Sequence, residues 1–330
     1  MQKLYNHSNN MVDESIQGFI KCHHDTVEFA GHGRALKYVK APIAGKVGVV
    51  SGGGAGHDPA FMGYIGQNML DAVAVGDIFS PPSADAFYAA FKAADSGCGV
   101  VCLYGNYPSD TEKVNKAVML AARDGITVKC VITNDDVASK NIDERGGLTG
   151  EVFMWKIGGA AAALGYSIDG VVEAAQKALK QMRSIGIGLA SCIIPAVGRP
   201  NYLIEMGTME IGVGHHGMSS KDTCKLKSAD ASVDIMLGEI RNNILLKPLD
   251  RVAVMVSGLG NTMMSELNIV CGRVSDVCKE DNIKIHKMYV GDFFTSLDMM
   301  GVTLTILLLD DELIQLLDLP ASPVSLKHFS

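Results

Sequence analysis

The stretch VGVVSGGGAGHDP, residues 47–59, places an apolar run directly before a cluster of glycines and a histidine. The run 47–50 has the length and the β-branched content of a buried strand. Glycines remove Cβ atoms where a chain turns sharply or lets another group approach its backbone. The stretch therefore predicts a buried strand followed by a glycine loop, against which a small molecule could bind.

The residues after these glycines argue against a nucleotide at this loop. A P-loop needs GxxxxGK[ST], and a dinucleotide-binding loop needs GxGxxG at the start of a helix. Here Gly54 and Gly56 are followed by His57, Asp58 and Pro59, and no lysine or hydroxyl is present for a phosphate or its metal. We do not expect ATP at this loop. A strand-to-helix turn, whose histidine caps a neighbouring carbonyl, is the structural alternative.

Short apolar runs alternate with helical patterns over roughly the first 150 residues, which predicts a largely parallel sheet. Ligand sites of such sheets lie at the carboxyl ends of the strands. Both the glycine loop and the loop 105–112 follow predicted strands. The further predicted elements are strands at 72–76, 99–104 and 127–133, a helix or helix-turn at 60–70, a helix at 84–95, and a surface loop at 219–232.

The chain of 330 residues exceeds what one hydrophobic core usually serves, so we expect two domains. The predicted fold is α/β: an N-terminal domain over 1–185, with a largely parallel sheet flanked by helices and the glycine loop, and a smaller C-terminal α/β domain over 186–330.

Composition excludes several classes of function. There are 36 Asp and Glu against 29 Lys and Arg, and the net charge of −7 opposes binding to nucleic acid or anionic lipid. The apolar stretches 185–197 and 302–309 are too short or too interrupted to span a bilayer, and the first seven residues lack the apolar core of a secretion signal. We expect a cytoplasmic protein. The eight cysteines form no Cys-x-x-Cys pair, and no histidine lies at zinc-binding spacing from them. We therefore expect no metal site and no disulfide.

Three loops carry ionisable groups that could act in chemistry: His57, Asp110 and the pair His215 and His216. Each also has a structural explanation. The pattern Ser109-x-x-Glu112 is typical of a capping box, so Asp110 could simply stabilise the first turn of a helix. The two histidines lie between glycines and could be solvated loop residues.

The residues SGGGAGHDPA at 51–60, with GYIG at 63–66, resemble the GGGSGHEP signature of the dihydroxyacetone kinase family in its substrate-binding subunit. The segment GVGHHG at 212–217 is similar to the family's GxGIHG, and NYPSD at 106–110 is similar to its NYxGD. The similarity continues at 199–200, 257–260, 265–267 and 295–299, so it covers nearly the whole chain.

The resemblance implies a role for each of these loops. His216 would bind a ketone covalently as a hemiaminal, whereas His215 stands where the family motif has isoleucine. Asp110 would be the general base for the hydroxyl that becomes phosphorylated, and His57 would be the hydrogen-bonding partner at the glycine loop. Gly53, Gly54 and Gly105 would contribute to the substrate-binding loops, as the resemblance implies.

The resemblance also implies partners. Because relatives with a fused nucleotide domain carry some two hundred further residues, the chain is expected to bind no cofactor itself. ATP or ADP with magnesium would be on a separate nucleotide-binding subunit of the L type, and the family suggests a homodimer. The substrate would be dihydroxyacetone or a similar small ketose. The resemblance therefore implies that the protein has a role in glycerol metabolism.

Departures from the family pattern leave alternatives open. Gly105 stands where many members have lysine, SPP at 80–82 replaces TSP, and MSS at 218–220 replaces EPG. Members with a similar YGNY segment include kinases of four-carbon ketoses such as erythrulose. A coactivator that senses the ketone without phosphoryl transfer also belongs to this family. A structural α/β protein, in which the three loops would be unrelated in space, is the third alternative.

Overall fold

The structure is a computed structural model that describes residues 3–31, 33–200, 202–215 and 222–326. Within these ranges it is an α/β protein with two six-stranded sheets and one two-stranded sheet. The helices are α1 (Met11–Cys22), α2 (Ala84–Ala94), α3 (Pro108–Arg123), α4 (Gly150–Ala163), α5 (Ile168–Lys180), α6 (Ala229–Arg241), α7 (Met264–Glu280) and α8 (Asp311–Asp318). The strands are β1 (Val27–Phe29), β2 (Ala35–Tyr38), β3 (Gly48–Ala55), β4 (Gly66–Gln67), β5 (Ala72–Ile78), β6 (Val100–Gly105), β7 (Val128–Thr133), β8 (Met182–Ala190), β9 (Thr208–Ile211), β10 (Asp222–Lys225), β11 (Arg251–Gly258), β12 (Lys284–Gly291), β13 (Met300–Leu309) and β14 (Ser322–Pro323).

The described structure divides into two compact units, each built from separate segments of the chain. The N-terminal unit comprises Gln2–Thr133, Phe153–Lys177 and Leu313–Ser330, and the C-terminal unit comprises Asn134–Val152 and Ala178–Glu312. The sequence predicts a single boundary between residues 185 and 186. That domain assignment stays a prediction, which limited proteolysis would test.

The N-terminal unit is built on a sheet with strand order β1-β2-β5-β3-β6-β7. Its last four strands are parallel to one another, and the β1-β2 hairpin adds to β5 in the antiparallel sense. Helices α2 and α3 pack on this sheet through a cluster of alanines, valines and phenylalanines, which includes Phe87 and Phe91. The expectation of an α/β fold with a largely parallel first sheet is confirmed.

The C-terminal unit is built on a mixed sheet with strand order β10-β9-β8-β13-β11-β12. β11 and β12 pair in the parallel sense, whereas β10 with β9, β9 with β8, β8 with β13 and β13 with β11 pair in the antiparallel sense. Helices α6 and α7 cover the sheet with a core of branched aliphatic side chains, among them Val254, Leu304 and Ile306.

Two local expectations are wrong, in addition to the one for the glycine loop. Residues 60–70 form a short 3-10 turn, Met62–Tyr64, and then β4, because this segment pairs with β14 instead of continuing a helix. The predicted surface loop 219–232 contains β10, whose side chains are mostly exposed, and the start of α6, where Ser228 caps the helix. Residues 219–221 of that loop lie outside the described residues.

The glycine loop is the most informative correction, because Gly52, Gly53 and Gly54 lie inside β3 and not after it. A Cβ on Gly52 would lie 2.5 Å from the carbonyl oxygen of Ala74 and 2.8 Å from the ring of Phe87. Real Cβ atoms do not approach other atoms so closely. Gly52 is therefore required by the packing of the buried strand β3 against β5 and α2.

We expect Gly52→Ala to lower the free energy of unfolding by about 1–3 kcal/mol, the usual cost of overpacking a core. Gly238→Ala is the matched control, because it lies in α6 and its Cβ would meet nothing within 4 Å. That control should raise stability by about 0.5–1 kcal/mol through helix propensity. Urea unfolding measures both, and equal stability of Gly52→Ala and the wild type would contradict the packing argument.

A buried ion pair joins the starts of β3 and β5. Lys46 Nζ lies 2.5 Å from Asp71 Oδ2, and the same oxygen accepts a hydrogen bond from Val49 N at 2.8 Å. Burial raises the pKa of Asp71, and the charge of Lys46 and these hydrogen bonds act in the opposite direction. Both side chains are about nine-tenths buried, so water can solvate neither charge if its partner is removed.

Asp71→Ala should lower the free energy of unfolding by about 3–5 kcal/mol, because it leaves the charge of Lys46 buried without its carboxylate. The pair Lys129 and Asp169 is exposed, so Asp169→Ala should barely change stability. Urea unfolding at neutral pH compares the two variants. A similar small effect of both would show that the buried pair is no more important than a surface one.

Candidate functional site

His57 lies just beyond the end of β3 and is almost fully buried, with 1% of its surface exposed. The chain turns at Gly56, whose φ of +95° favours glycine. The ring of His57 lies 5.1 Å from the ring of Phe79, and Phe79 N donates to Ala55 O at 3.0 Å. No α-helix follows until α2, so the alternative of a strand-to-helix turn is wrong. The ring of His57 instead packs against Phe79, which lies in the loop that follows β5.

The protein itself occupies the space beside Gly53 and Gly54. A Cβ on Gly53 would fall into the ring of Phe61, and one on Gly54 would lie 2.8 Å from the backbone nitrogen of Ser80. Packing within the N-terminal unit therefore explains why both residues are glycine. A contact between their backbones and a substrate stays a prediction.

Asp110 follows the carboxyl end of the neighbouring parallel strand. Strand β6 ends at Gly105, and Asn106 N donates to Thr133 O of β7 at 2.9 Å. Helix α3 then begins at Pro108, with Asp110 in its first turn as the sequence predicts. The predicted capping box is wrong, because Tyr107 is the N-cap residue and Glu112 pairs with Lys116 one turn later.

The carboxyl group of Asp110 is unusual for a side chain in a first helical turn because it is buried. Burial raises its pKa to about 6, although a hydrogen bond from Ser109 and its own backbone amide act to lower it. Ser109 Oγ lies 3.4 Å from Asp110 Oδ2. A carboxylate with a pKa near neutrality is a better general base than an exposed one, because it holds a proton more strongly once it has taken one.

Strand topology brings the His57 loop and the Asp110 loop to the same edge of the sheet. Strands β3 and β6 are adjacent and parallel, paired from Gly48 with Val100 to Val50 with Cys102. Their carboxyl ends therefore lie side by side, where ligands bind in sheets of this kind. His57 and Asp110 therefore both follow parallel strands, as expected, although Gly52, Gly53 and Gly54 belong to β3 itself. The role of His57 and Asp110 in binding stays a prediction.

In the C-terminal unit, His215 is buried, with 1% of its surface exposed. Its ring stacks on Phe294 at a centroid distance of 4.0 Å and an interplanar angle of 6°. Its Nε2 lies 3.4 Å from Thr149 Oγ1, and Ser296 Oγ donates to its carbonyl oxygen at 2.5 Å. The interpretation of His215 as a solvated loop residue is wrong. Nothing in the sequence pattern indicates these partners, since they come from segments 66 and 81 residues away along the chain.

His216, the predicted covalent residue, lies outside the described residues, and so does the rest of the segment 216–221. Its role stays a prediction. Within the ranges that the structure describes, no group of three or more His, Cys, Asp or Glu side chains could hold a metal ion. In the same part of the chain, no helix is long and apolar enough to cross a membrane.

The comparisons of this sequence with known proteins all indicate the same family. The sequence matches the Dak1 domain over residues 17–325. It is 35% identical over 322 residues to the dihydroxyacetone-binding subunit DhaK of a PTS-dependent dihydroxyacetone kinase from Listeria innocua, covering 97% of each chain. It is also 33% identical to the L-erythrulose 1-kinase of Mycolicibacterium smegmatis, covering 97% of this chain and 57% of that protein.

The fold is similar to that of a solved structure with a different stated role. The dihydroxyacetone kinase operon co-activator DhaQ superposes with a TM-score of 0.90 at 25% identity, covering 96% of this chain and 98% of the other. Binding subunits and a co-activator therefore share this architecture. Fold alone does not distinguish between those two roles.

The carboxyl group of Asp110 should titrate with a midpoint near pH 6, because burial disfavours its charged form. Carbon-13 NMR of aspartate-labelled protein measures this directly, with the Asp110→Asn spectrum as the assignment control. Ser109→Ala should raise the midpoint further, since the lost hydrogen bond favours the carboxylate. A midpoint near 4 in the wild type would show that the carboxyl group is well solvated.

Proposed function

This chain belongs to the Dak1 domain family, and on that premise we propose that it is the ketose-binding subunit of a split dihydroxyacetone-type kinase. The observation that supports this most is the buried carboxyl group of Asp110, whose raised pKa suits a general base. It lies at the same sheet edge as the buried His57. A residue that only capped a helix would gain nothing from being removed from water.

In this proposal, the substrate is held by a covalent bond. An imidazole nitrogen of His216 attacks the ketone carbon, and the carbonyl oxygen becomes a hydroxyl by taking the proton from the other ring nitrogen. The product is a hemiaminal, formed without loss of water. Such a bond selects ketones and aldehydes over polyols, which a small polar pocket separates poorly by contacts alone.

Asp110 then acts on the bound ketose. Its carboxylate takes the proton of the terminal hydroxyl while that oxygen attacks the transferred phosphorus. The leaving group is the nucleoside diphosphate, which stays with the donor subunit. Positioning and charge neutralisation dominate such a transfer. His57 orients the ketose by a hydrogen bond, and Gly53 and Gly54 of β3 and Gly105 of β6 contribute to substrate binding.

The donor belongs to another protein in this proposal. The chain itself binds no cofactor, and ATP or ADP with magnesium is carried by a nucleotide-binding subunit of the L type. The chain works in the cytoplasm as a homodimer. The substrate has three or four carbons, since both a dihydroxyacetone-binding subunit and an L-erythrulose kinase are similar over 97% of this chain.

The covalent bond is tested with ketoses labelled with carbon-13 at the carbonyl carbon. We expect the ketone signal of dihydroxyacetone, or of erythrulose, to move to a tetrahedral carbon on binding. Native mass spectrometry should show the full mass of the ketose added. Both signals should vanish in His216→Ala and persist in His24→Ala, whose histidine is exposed. Binding without a tetrahedral carbon would exclude the hemiaminal.

Phosphoryl transfer is tested with the same ketoses and a donor subunit from a related kinase. Asp110→Asn should retain the adduct but lower the transfer rate by roughly 100- to 10,000-fold, the usual contribution of a general base. Because Asp110 must be deprotonated, the wild-type rate should fall as pH drops through about 6. A rate unchanged between pH 5 and 7 would contradict this role.

A ketone-sensing co-activator is the second candidate, favoured by the structural similarity to DhaQ. It predicts an adduct in the wild type without transfer from any donor subunit. The two assays together separate the candidates, because only the kinase subunit gives both adduct and product.

A further inference from the structure

The sheet of the N-terminal unit places two cysteines side by side. Cys102 of β6 and Cys130 of β7 are register partners in a parallel pair of strands. Neighbouring strands lie about 4.7–4.9 Å apart. A disulfide joins residues whose Cα atoms are about 4.4–6.8 Å apart. The backbone spacing of this pair is therefore within the range that a disulfide bridges.

The two cysteine side chains lie on the same face of the sheet. Both belong to the apolar cluster that α2 and α3 cover. The residues two positions further along the strands, Tyr104 and Ile132, are also register partners and belong to the same cluster. Side chains alternate along a strand, so Lys129 lies on the opposite face, where it pairs with Asp169. The neighbour of each thiol across the strand pair is therefore the other thiol.

The two thiols differ in their access to solvent. Cys102 is fully buried in β6, which lies between β3 and β7. Cys130 is only partly buried, and its strand β7 is the last in the strand order of this sheet. A small solute therefore reaches Cys130 first, and Cys102 lies beside it as a second, protected thiol.

The proton affinities of the two thiols differ in the same sense. A hydrogen bond from Cys102 lowers the pKa of Cys130, although burial acts to raise it. Burial raises the pKa of the Cys102 thiol well above its usual range. Because the thiolate is the reactive form, Cys130 is the nucleophile of the pair. An accessible thiol of lowered pKa beside a second cysteine is the arrangement found in redox-sensing proteins.

We propose that Cys102 and Cys130 are a modification site, a pair that a hydroperoxide converts reversibly from two thiols to one disulfide. Both are free thiols in the structure. The chain between them carries α3 and Asp110, so the disulfide closes that segment into a ring. This pair is independent of the proposed ketose chemistry, because its oxidation needs neither a ketose nor a phosphoryl donor.

The oxidation has two steps. The Cys130 thiolate attacks one oxygen of the peroxide, the O–O bond breaks, and the other oxygen leaves with a proton as water. Cys130 is then a sulfenic acid. The Cys102 sulfur attacks the Cys130 sulfur, the S–O bond breaks, and that oxygen leaves as a second water with the Cys102 proton. Two thiols lose two electrons, and hydrogen peroxide gains them. A dithiol reagent reverses the change by thiol–disulfide exchange.

The test is a peptide map of the folded protein with Cys22→Ser and Cys98→Ser, which remove two exposed thiols. The protein is treated with hydrogen peroxide, quenched in acid, alkylated in denaturant and digested without reduction. We expect two peptides joined through Cys102 and Cys130, with two hydrogen atoms fewer than the separate peptides. Dithiothreitol should release both as free thiols.

Single variants separate the two steps. Cys102→Ala should leave Cys130 as a sulfenic acid, which dimedone labels, whereas dimedone labelling should be weak when both cysteines are present. Cys130→Ser should leave Cys102 reduced, because peroxide does not reach the buried thiol. The disulfide should be lost completely in either variant. If Cys102→Ala does not fold, the peptide map still decides, since it needs neither of these substitutions.

Cys224 is the matched control within the same protein. It is also partly buried on the outermost strand of a sheet, β10, but its register partner is Met209. At the peroxide concentration that joins Cys102 to Cys130, Cys224 should remain a thiol. Oxidation of Cys130 no faster than that of Cys224 would overturn the proposal. So would a Cys130 sulfinic acid beside a Cys102 that is still reduced.

Discussion

The close packing around the glycines of β3 is the constraint on which the N-terminal unit depends. The carbonyl oxygen of Ala74 and the ring of Phe87 lie where a side chain of Gly52 would be, and the ring of Phe61 does the same for Gly53. The strand can therefore lie deep between β5 and β6 while the loops after β3 and β5 fold over its end. That arrangement buries His57, because the residues just after β3 pack against Phe79.

Burial is used differently at the second loop of the same edge. Asp110 starts a helix, where a carboxylate is ordinarily favoured by the helix dipole and by water. Here removal from water raises the pKa of Asp110 to about 6, against the effect of Ser109 and of its backbone. The fold thus provides one buried imidazole and one proton-accepting carboxyl group just after neighbouring parallel strands.

Periodicity predicted the regular parts well, because strands such as β6 and helices such as α2 bury a continuous apolar face that spacing reveals. It failed where tertiary contacts decide. The glycines of 52–54 look like a loop by propensity, and only neighbours distant in the sequence make them a strand. Ser109 has the pattern of an N-cap, but Pro108 already occupies the first helical position. The burial of His215 depends on Thr149 and Phe294, which no local pattern indicates.

The family resemblance identified the correct family, whereas the role of His216 awaits experiment.

The way the chain passes between the two units has a consequence for its synthesis. Leu313, Leu316 and Leu317 of α8 are fully buried, Lys156 Nζ donates to Leu316 O at 2.8 Å, and β14 pairs with β4. All of these contacts belong to the N-terminal unit, although α8 and β14 are made by the ribosome after the whole C-terminal unit. The first unit to leave the ribosome therefore cannot complete its core until residue 323 has emerged. Until then, the apolar surface that α8 will cover is exposed to chaperones and to other nascent chains, which makes the N-terminal unit the last to become resistant to aggregation.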